Sequence, residues 1–203
     1  MSDTLSNDQM PPVESKAVGR RPLRADAQRS ADALVEAARE LFATTGVDAT
    51  TRDIAERAGV GAGTLFRRFP QRADLIAAVF NEEMDACAEA ATTLAVDYPP
   101  FEALLKWMQV YANFVSTKRG LAKALSSGDP VFLGVFARFD QRLRPAARQL
   151  YEVAAAAGEA RPDMDAAEIL CAVSTLCMSS YDGKPDHALQ MVNLLMEGLR
   201  LRC

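Results

Sequence analysis

Apolar residues at Leu34, Ala37 or Ala38, Leu41 and Phe42 recur at helical spacing, with Arg29, Asp32, Glu36, Arg39 and Glu40 on the opposite side. The pattern predicts an amphipathic helix from about Ala25 to Thr45, ended by Gly46. A narrower apolar face follows at Ile54, Ala55 and Ala58, then another at Leu65 and Phe69, and Pro70 stops the second. Near Gln71 a long pattern starts, with Leu75, Ile76, Val79, Phe80 and Met84 as its apolar residues. Beyond Pro99-Pro100 the chain reads as helix throughout. Phe101, Leu104, Leu105, Met108, Tyr111, Ala112 and Val115 mark one element, with Trp107 and Phe114 on an adjacent face. After a break at Gly120 and a loop at 126–130, Phe132, Val135, Phe136, Phe139 and Leu143 mark a longer one. Two more run from Ala166 to Tyr181 and from Ala188 to Leu201. The expectation is an all-α chain.

The stretch from Thr50 to Phe69 carries the chemistry. Thr50 is placed to N-cap a short helix, and Asp53 completes a T-x-x-D variant of the capping box with an anion in the first turn. Gly59 can adopt the left-handed conformation that ends the helix and turns the chain, and Val60 plugs the corner. Gly61, Ala62, Gly63 and Thr64 then enter a second helix almost bare of side chains. This is helix-turn-helix grammar. With Leu65 and Phe69 inward, Arg67 and Arg68 face solvent or phosphate, and the small entrance lets a helix end approach a major groove. An ordinary helical hairpin with a solvated basic edge is the plainer reading.

The run LFATTGVDATTRDIAERAGVGAGTLFRRFPQRADLIAAVF resembles, almost position for position, the N-terminal domain of the tetracycline-repressor-like (TetR) family of bacterial transcriptional regulators. By that resemblance Thr51, beside the Thr50 cap, binds a phosphate, and Arg52 reaches a base edge. The same likeness puts Ala62, Gly63, Thr64, Phe66, Arg67 and Arg68 at recognition-helix positions and makes Arg72 a phosphate clamp. Phe66 stands where the family usually has tyrosine, which removes a phenolic phosphate contact. Arg68 stands where histidine is common, which fixes a permanent charge there.

The aromatic residues of the second half, with Met108 and Val135 among them, namely Trp107, Met108, Tyr111, Phe114, Phe132, Val135, Phe136 and Phe139, suit a plain core or the wall of an apolar pocket. The resemblance implies the latter, an inducer cavity, in which Tyr111 supplies an orienting hydroxyl. In the last two elements the apolar surface is wider than one core face requires. Ile169, Val173, Leu176, Val192, Leu195 and Leu199 are therefore expected at a homodimer contact. The resemblance implies a four-helix interface there, and burial within one subunit is the alternative.

Composition narrows the class. Of 203 residues, 49% are hydrophobic, enough to bury a core, and no apolar run reaches membrane-spanning length or forms an export signal. The net charge of −4 is unevenly spread, with eleven Lys and Arg against eight Asp and Glu between Lys16 and Leu75. Local placement of Arg20, Arg21, Arg24, Arg52, Arg67, Arg68 and Arg72 therefore matters more than a global field. One histidine, four scattered cysteines and no phosphate-binding glycine loop leave no catalytic or metal-binding constellation. Neither enzyme activity, cofactor nor metal is expected, and the cysteines suit a reducing cytoplasm as small buried hydrophobes.

Three segments are expected: a disordered basic arm over 1–24, its GRRPLR end extended at Pro22, a helix-turn-helix domain over 25–72, and a ligand-binding and dimerisation domain over 73–203. Together they describe a regulator, released from a palindromic operator by an apolar or weakly polar inducer. A helical small-molecule carrier without sequence-specific DNA binding is the alternative.

Overall fold

The computed structural model describes residues 20–45, 49–116, 130–178 and 185–201, with side chains from residue 25 onward and from residue 187 in the last segment. Eight helices fill these residues: α1 (Arg20–Thr45), α2 (Thr51–Arg57), α3 (Ala62–Arg68), α4 (Arg72–Asp97), α5 (Pro100–Ser116), α6 (Val131–Ala156), α7 (Ala166–Met178) and α8 (Pro185–Leu199). Expectations for residues 1–19, Gly46, Gly120, the loop 126–129 and the end of the Ala166 to Tyr181 element beyond Met178 lie outside the described residues.

Helix α1 starts at Arg20, five residues before the pattern predicts, so GRRPLR is not extended at Pro22. The physical reason is that proline is tolerated in a first turn, where its missing N–H would have no intrahelical acceptor. Two cores follow. Leu34, Val35, Ala37, Ala38, Ile54, Ala55, Leu65 and Phe69 form the smaller one, and Leu75 and Val79 from the first turns of α4 complete it. Leu41, Phe42 and Val60 pack on its edge, half-buried rather than central. Capping by Gln71 and Asp74 starts α4 cleanly, with the Gln71 amide donating to Asp74 Oδ2 at 2.9 Å. The remaining turns of α4 pass into the second core, so one rigid rod joins both.

In that second core α5 is central. Phe101, Leu104, Trp107, Met108, Tyr111 and Ala112 are all buried, and each neighbour is tied to α5 or α4 by a polar contact. Trp107 Nε1 donates to the Cys87 carbonyl of α4 at 2.8 Å. Gln109 Nε2 donates to Asn193 Oδ1 of α8 at 2.8 Å. Arg138 and Arg142 of α6 pair with Asp85 of α4. Helix α6 continues through Pro145 to Ala156, and Gly158, at φ 72°, reverses the chain after it. An isolated bridge between Ala160 and Arg200 then closes the end of the bundle. Cys87 and Cys177 are buried as small hydrophobes, but Cys171 is exposed because its helix turns that face outward. Among the described residues no helix is long and apolar enough to cross a membrane.

Candidate DNA-reading surface and ligand cavity

The Thr50 hydroxyl accepts from the Asp53 amide at 3.1 Å and starts α2 where the sequence predicts. Gly59, at φ 66°, makes the turn, and the Val60 amide returns to the Ala55 carbonyl at 3.0 Å. Only Leu65 of α3 is buried, so Gly61, Ala62, Gly63, Phe66, Arg67 and Arg68 stand outward and Thr64 is half-buried. No side chain caps α3, and Gly61 precedes it in extended conformation. A Cβ built at Gly61 or Gly63 would meet no atom within 4 Å, so the chain's own packing does not require glycine at either place.

The cations divide by environment. Arg52, Arg67 and Arg68 are exposed, and no described carboxylate pairs with them; Arg67 reaches only the Thr64 hydroxyl, at 3.4 Å. Arg57, by contrast, is bound to Glu40 of α1 at 2.6 Å. Arg72 is partly committed as well, since one nitrogen donates to the Ala49 carbonyl at 2.7 Å and the guanidinium lies 6.0 Å from the Phe42 ring centre. Its remaining N–H groups can still serve a phosphate, while the held one fixes α4 to the start of α2. Thr51 is half-exposed.

A cavity of about 300 Å³ lies between α4, α5, α6 and α7. Tyr111, Phe114, Val135, Phe136 and Phe139, which the sequence pattern leaves open between plain core and pocket wall, line it. Trp107, Met108 and Phe132 do not; they turn into solid core, where Trp107 stacks on Tyr111 with centroids 5.8 Å apart. The pattern could not separate them, because residues four apart on α5 share a face whether it meets space or packing. It missed Phe80, Met84, Val115, Ser174 and Met178. Of these Ser174 had a readable signal, a hydroxyl at helical spacing inside the stripe of Leu170, Val173 and Cys177. The Tyr111 hydroxyl lies 2.6 Å from Ser174 Oγ, which donates in turn to the Leu170 carbonyl at 2.9 Å. Tyr111 therefore donates to Ser174, and burial pushes its phenol up to about 12 despite that bond.

The family comparisons agree with this geometry. Residues 34–79 match the model for bacterial regulatory proteins of the tetR family, and residues 99–201 match the C-terminal domain of SbtR-like transcriptional regulators. The chain belongs to the TetR family. Among solved structures, the TetR transcriptional regulator SCO0520 from Streptomyces coelicolor is 31% identical at a TM-score of 0.70, with 85% of this chain and 99% of that one covered. A TetR regulatory protein from Mycobacterium vanbaalenii is 30% identical at a TM-score of 0.67, over 89% and 100% of the two chains. The ketosteroid regulator KstR2 of Mycobacterium tuberculosis, 21% identical at a TM-score of 0.55 over 85% and 95%, shares the fold. No curated protein matches the sequence. The protein is accordingly a DNA-binding transcriptional regulator of the TetR family, built as a helix-turn-helix unit followed by a helical domain.

For this TetR-family chain the expected dimer residues need correction. Ile169, Val173, Val192 and Leu199 are buried in the subunit's own core, because α5 covers the widest apolar stripe of both α7 and α8. Leu176 and Leu195 are half-buried. The outward stripe instead carries Cys171, Thr175 and Met178 on α7 and Gln190, Leu194 and Gly198 on α8, with Leu194 67% exposed.

Proposed function

We propose that this regulator binds a palindromic operator as a homodimer in the cytoplasm, represses transcription there, and is released by a small neutral ligand. The observation that carries the reading is the face of α3, on which two glycines that the fold itself does not need are followed by exposed Arg67 and Arg68, neither paired with a carboxylate among the described residues. Glycine there gives an incoming duplex close access to the backbone, and cations beside it meet phosphate or guanine. Thr64, Arg52 and Arg68 are the base readers; Thr51, Arg67 and Arg72 hold phosphates. Phe66, 53% exposed, meets sugar or a thymine methyl.

Dimerisation uses the outward stripe of α7 and α8 rather than the buried residues. A 67%-exposed leucine beside a glycine offers apolar contact and close helix approach, as a two-fold helical interface requires.

The inducer occupies the cavity beneath α4. Its walls are aromatic and aliphatic, and the Tyr111 and Ser174 hydroxyls are its polar groups, so a charged ligand would lose hydration without compensation. At about 30 Å³ per water-sized volume, the space suits on the order of ten to fifteen non-hydrogen atoms. Phe80 and Met84 belong to the same rod that begins at Arg72, so a ligand that prefers one tilt of α4 shifts the separation of the two reader domains. Screening neutral aromatic compounds for release of a bound duplex tests this. Release by such compounds, abolished in Phe136→Ala, is expected; release by a strongly charged metabolite alone, with Phe136→Ala still inducible, would move the site elsewhere.

A further inference from the structure

Helix α1 begins at Arg20, and among its residues with described side chains, 25–45, the first that is buried is Ala31. Residues 25–29 are all exposed. At about 1.5 Å per residue the helix runs about 16 Å before it reaches Ala31. It leaves the bundle beside the recognition helix, since Asp26, Ala27 and Ser30 share a groove with Thr64, Arg67 and Arg68. Its sequence, RRPLRADAQRS, has four arginines and one acid, and that acid, Asp26, is paired with Arg29. In the sequence Arg20, Arg21 and Arg24 precede that pair by about half a turn to two turns, with no acid among residues 20–24.

A helix end of this length is marginal in water by itself, and clustered cations repel one another within it. Both costs disappear against a polyanion. We propose that residues 20–29 of α1 form a helical arm that lies along DNA phosphates outside the segment read by α3. The proposal rests on the DNA-binding reading above. Arg20 sits about 9 Å beyond Asp26 along the helix, which corresponds to two or three base pairs at about 3.4 Å each, so each half-site footprint is extended by that amount. Contacts of this kind add affinity and salt dependence without sequence preference.

The test uses the full chain and a duplex of about 40 base pairs that the unaltered protein itself selects from a random library. If the unaltered protein selects no duplex, the DNA-binding reading has failed before the arm is examined. With binding in hand, R20Q/R21Q/R24Q should reduce the slope of log K against log salt by about 2 to 3 units per subunit, at about 0.9 for each lost phosphate contact. Hydroxyl-radical protection should retreat at the outer edges while the selected sequence stays the same. R20K/R21K/R24K should restore the slope, because a phosphate accepts either cation. An unchanged slope and footprint would show a solvated leader and overturn the proposal. So would protection of adenine N3 at the outer edges, which marks insertion into a minor groove, or a change in the selected sequence.

Discussion

The Tyr111 phenol and the Ser174 hydroxyl meet at 2.6 Å across α5 and α7, at the wall of the cavity. Because Ser174 passes its own hydrogen to Leu170, the phenol is the donor and its oxygen retains acceptor capacity toward a ligand. Tyr111→Phe removes the donor and should cost about 1 kcal/mol of stability. Ser174→Ala leaves a buried phenol without its acceptor and should cost more, about 1 to 3 kcal/mol. Urea unfolding of the two variants and their double mutant checks the order, with the double mutant less destabilised than the sum. Equal or reversed costs would mean the hydrogen is directed the other way.

Two carboxylates on α4 should respond to pH with opposite sign. Burial would raise Asp85, but hydrogen bonds and charges from Arg138 and Arg142 outweigh it and hold the carboxyl below its ordinary range. Its stabilisation is present above the ordinary value near pH 4 and is lost as pH falls through the lowered value. Glu82 is raised, first by burial and then by Asp32, Glu36 and Asp85, with Arg39 opposing. A raised carboxyl favours folding below its ordinary value and loses that contribution as pH rises through the raised one. At pH 7, Asp85→Asn should therefore destabilise and Glu82→Gln should slightly stabilise, each by about 1 kcal/mol or less because both groups are partly solvated. Thermal unfolding from about pH 2 to 8 should show the Glu82→Gln difference shrinking as pH falls toward the ordinary carboxyl value, and the Asp85→Asn difference persisting to about pH 4 and shrinking only below it.

Gly63 should separate folding from function. Gly63 is exposed and a Cβ there would meet nothing within 4 Å, and leucine is a better helix former by about 0.8 kcal/mol. Gly63→Leu should therefore leave stability unchanged or raised while operator affinity falls at least tenfold. Retained affinity would place the close DNA approach elsewhere on α3.

The outward stripe of α7 and α8 predicts assembly. Leu194→Glu changes a residue that is already 67% exposed in one subunit, so it should fold and sediment as a monomer. Leu195→Glu forces a carboxylate into a half-buried site packed on the core and should lower folding stability instead. A stable dimer of Leu194→Glu would remove that leucine from the interface.

The reader was legible because its residues are constrained locally. Thr50, Gly59 and the spacing of Leu65 and Phe69 fix a cap, a turn and an inward face within twenty residues, and the chain turns where they say. The second half was legible as helices but not as surfaces. Trp107 and Tyr111 are four apart on α5, yet one hydrogen-bonds into α4 and the other lines space. What separates them is the position of α6 and α7, which no local spacing records. Ile169 and Val192 were misplaced for the same reason, since a wide apolar face does not say whether the subunit or a second copy covers it. The early start of α1 was hidden by Pro22, which resembles a breaker in sequence but sits where a helix tolerates it.

The central claim is that α3 reads DNA. Its most direct test is to select duplexes from a random library with the unaltered protein and with Thr64→Ala and Arg68→Ala, sequencing each pool. The unaltered protein should enrich a palindrome with half-site centres about one helical turn, ~34 Å, or a multiple of it apart. Each substitution should weaken binding by about 1 to 3 kcal/mol and relax preference at its own base pair in both half-sites. Failure to enrich any sequence, or pools from both variants identical to that of the unaltered protein, would contradict the assignment.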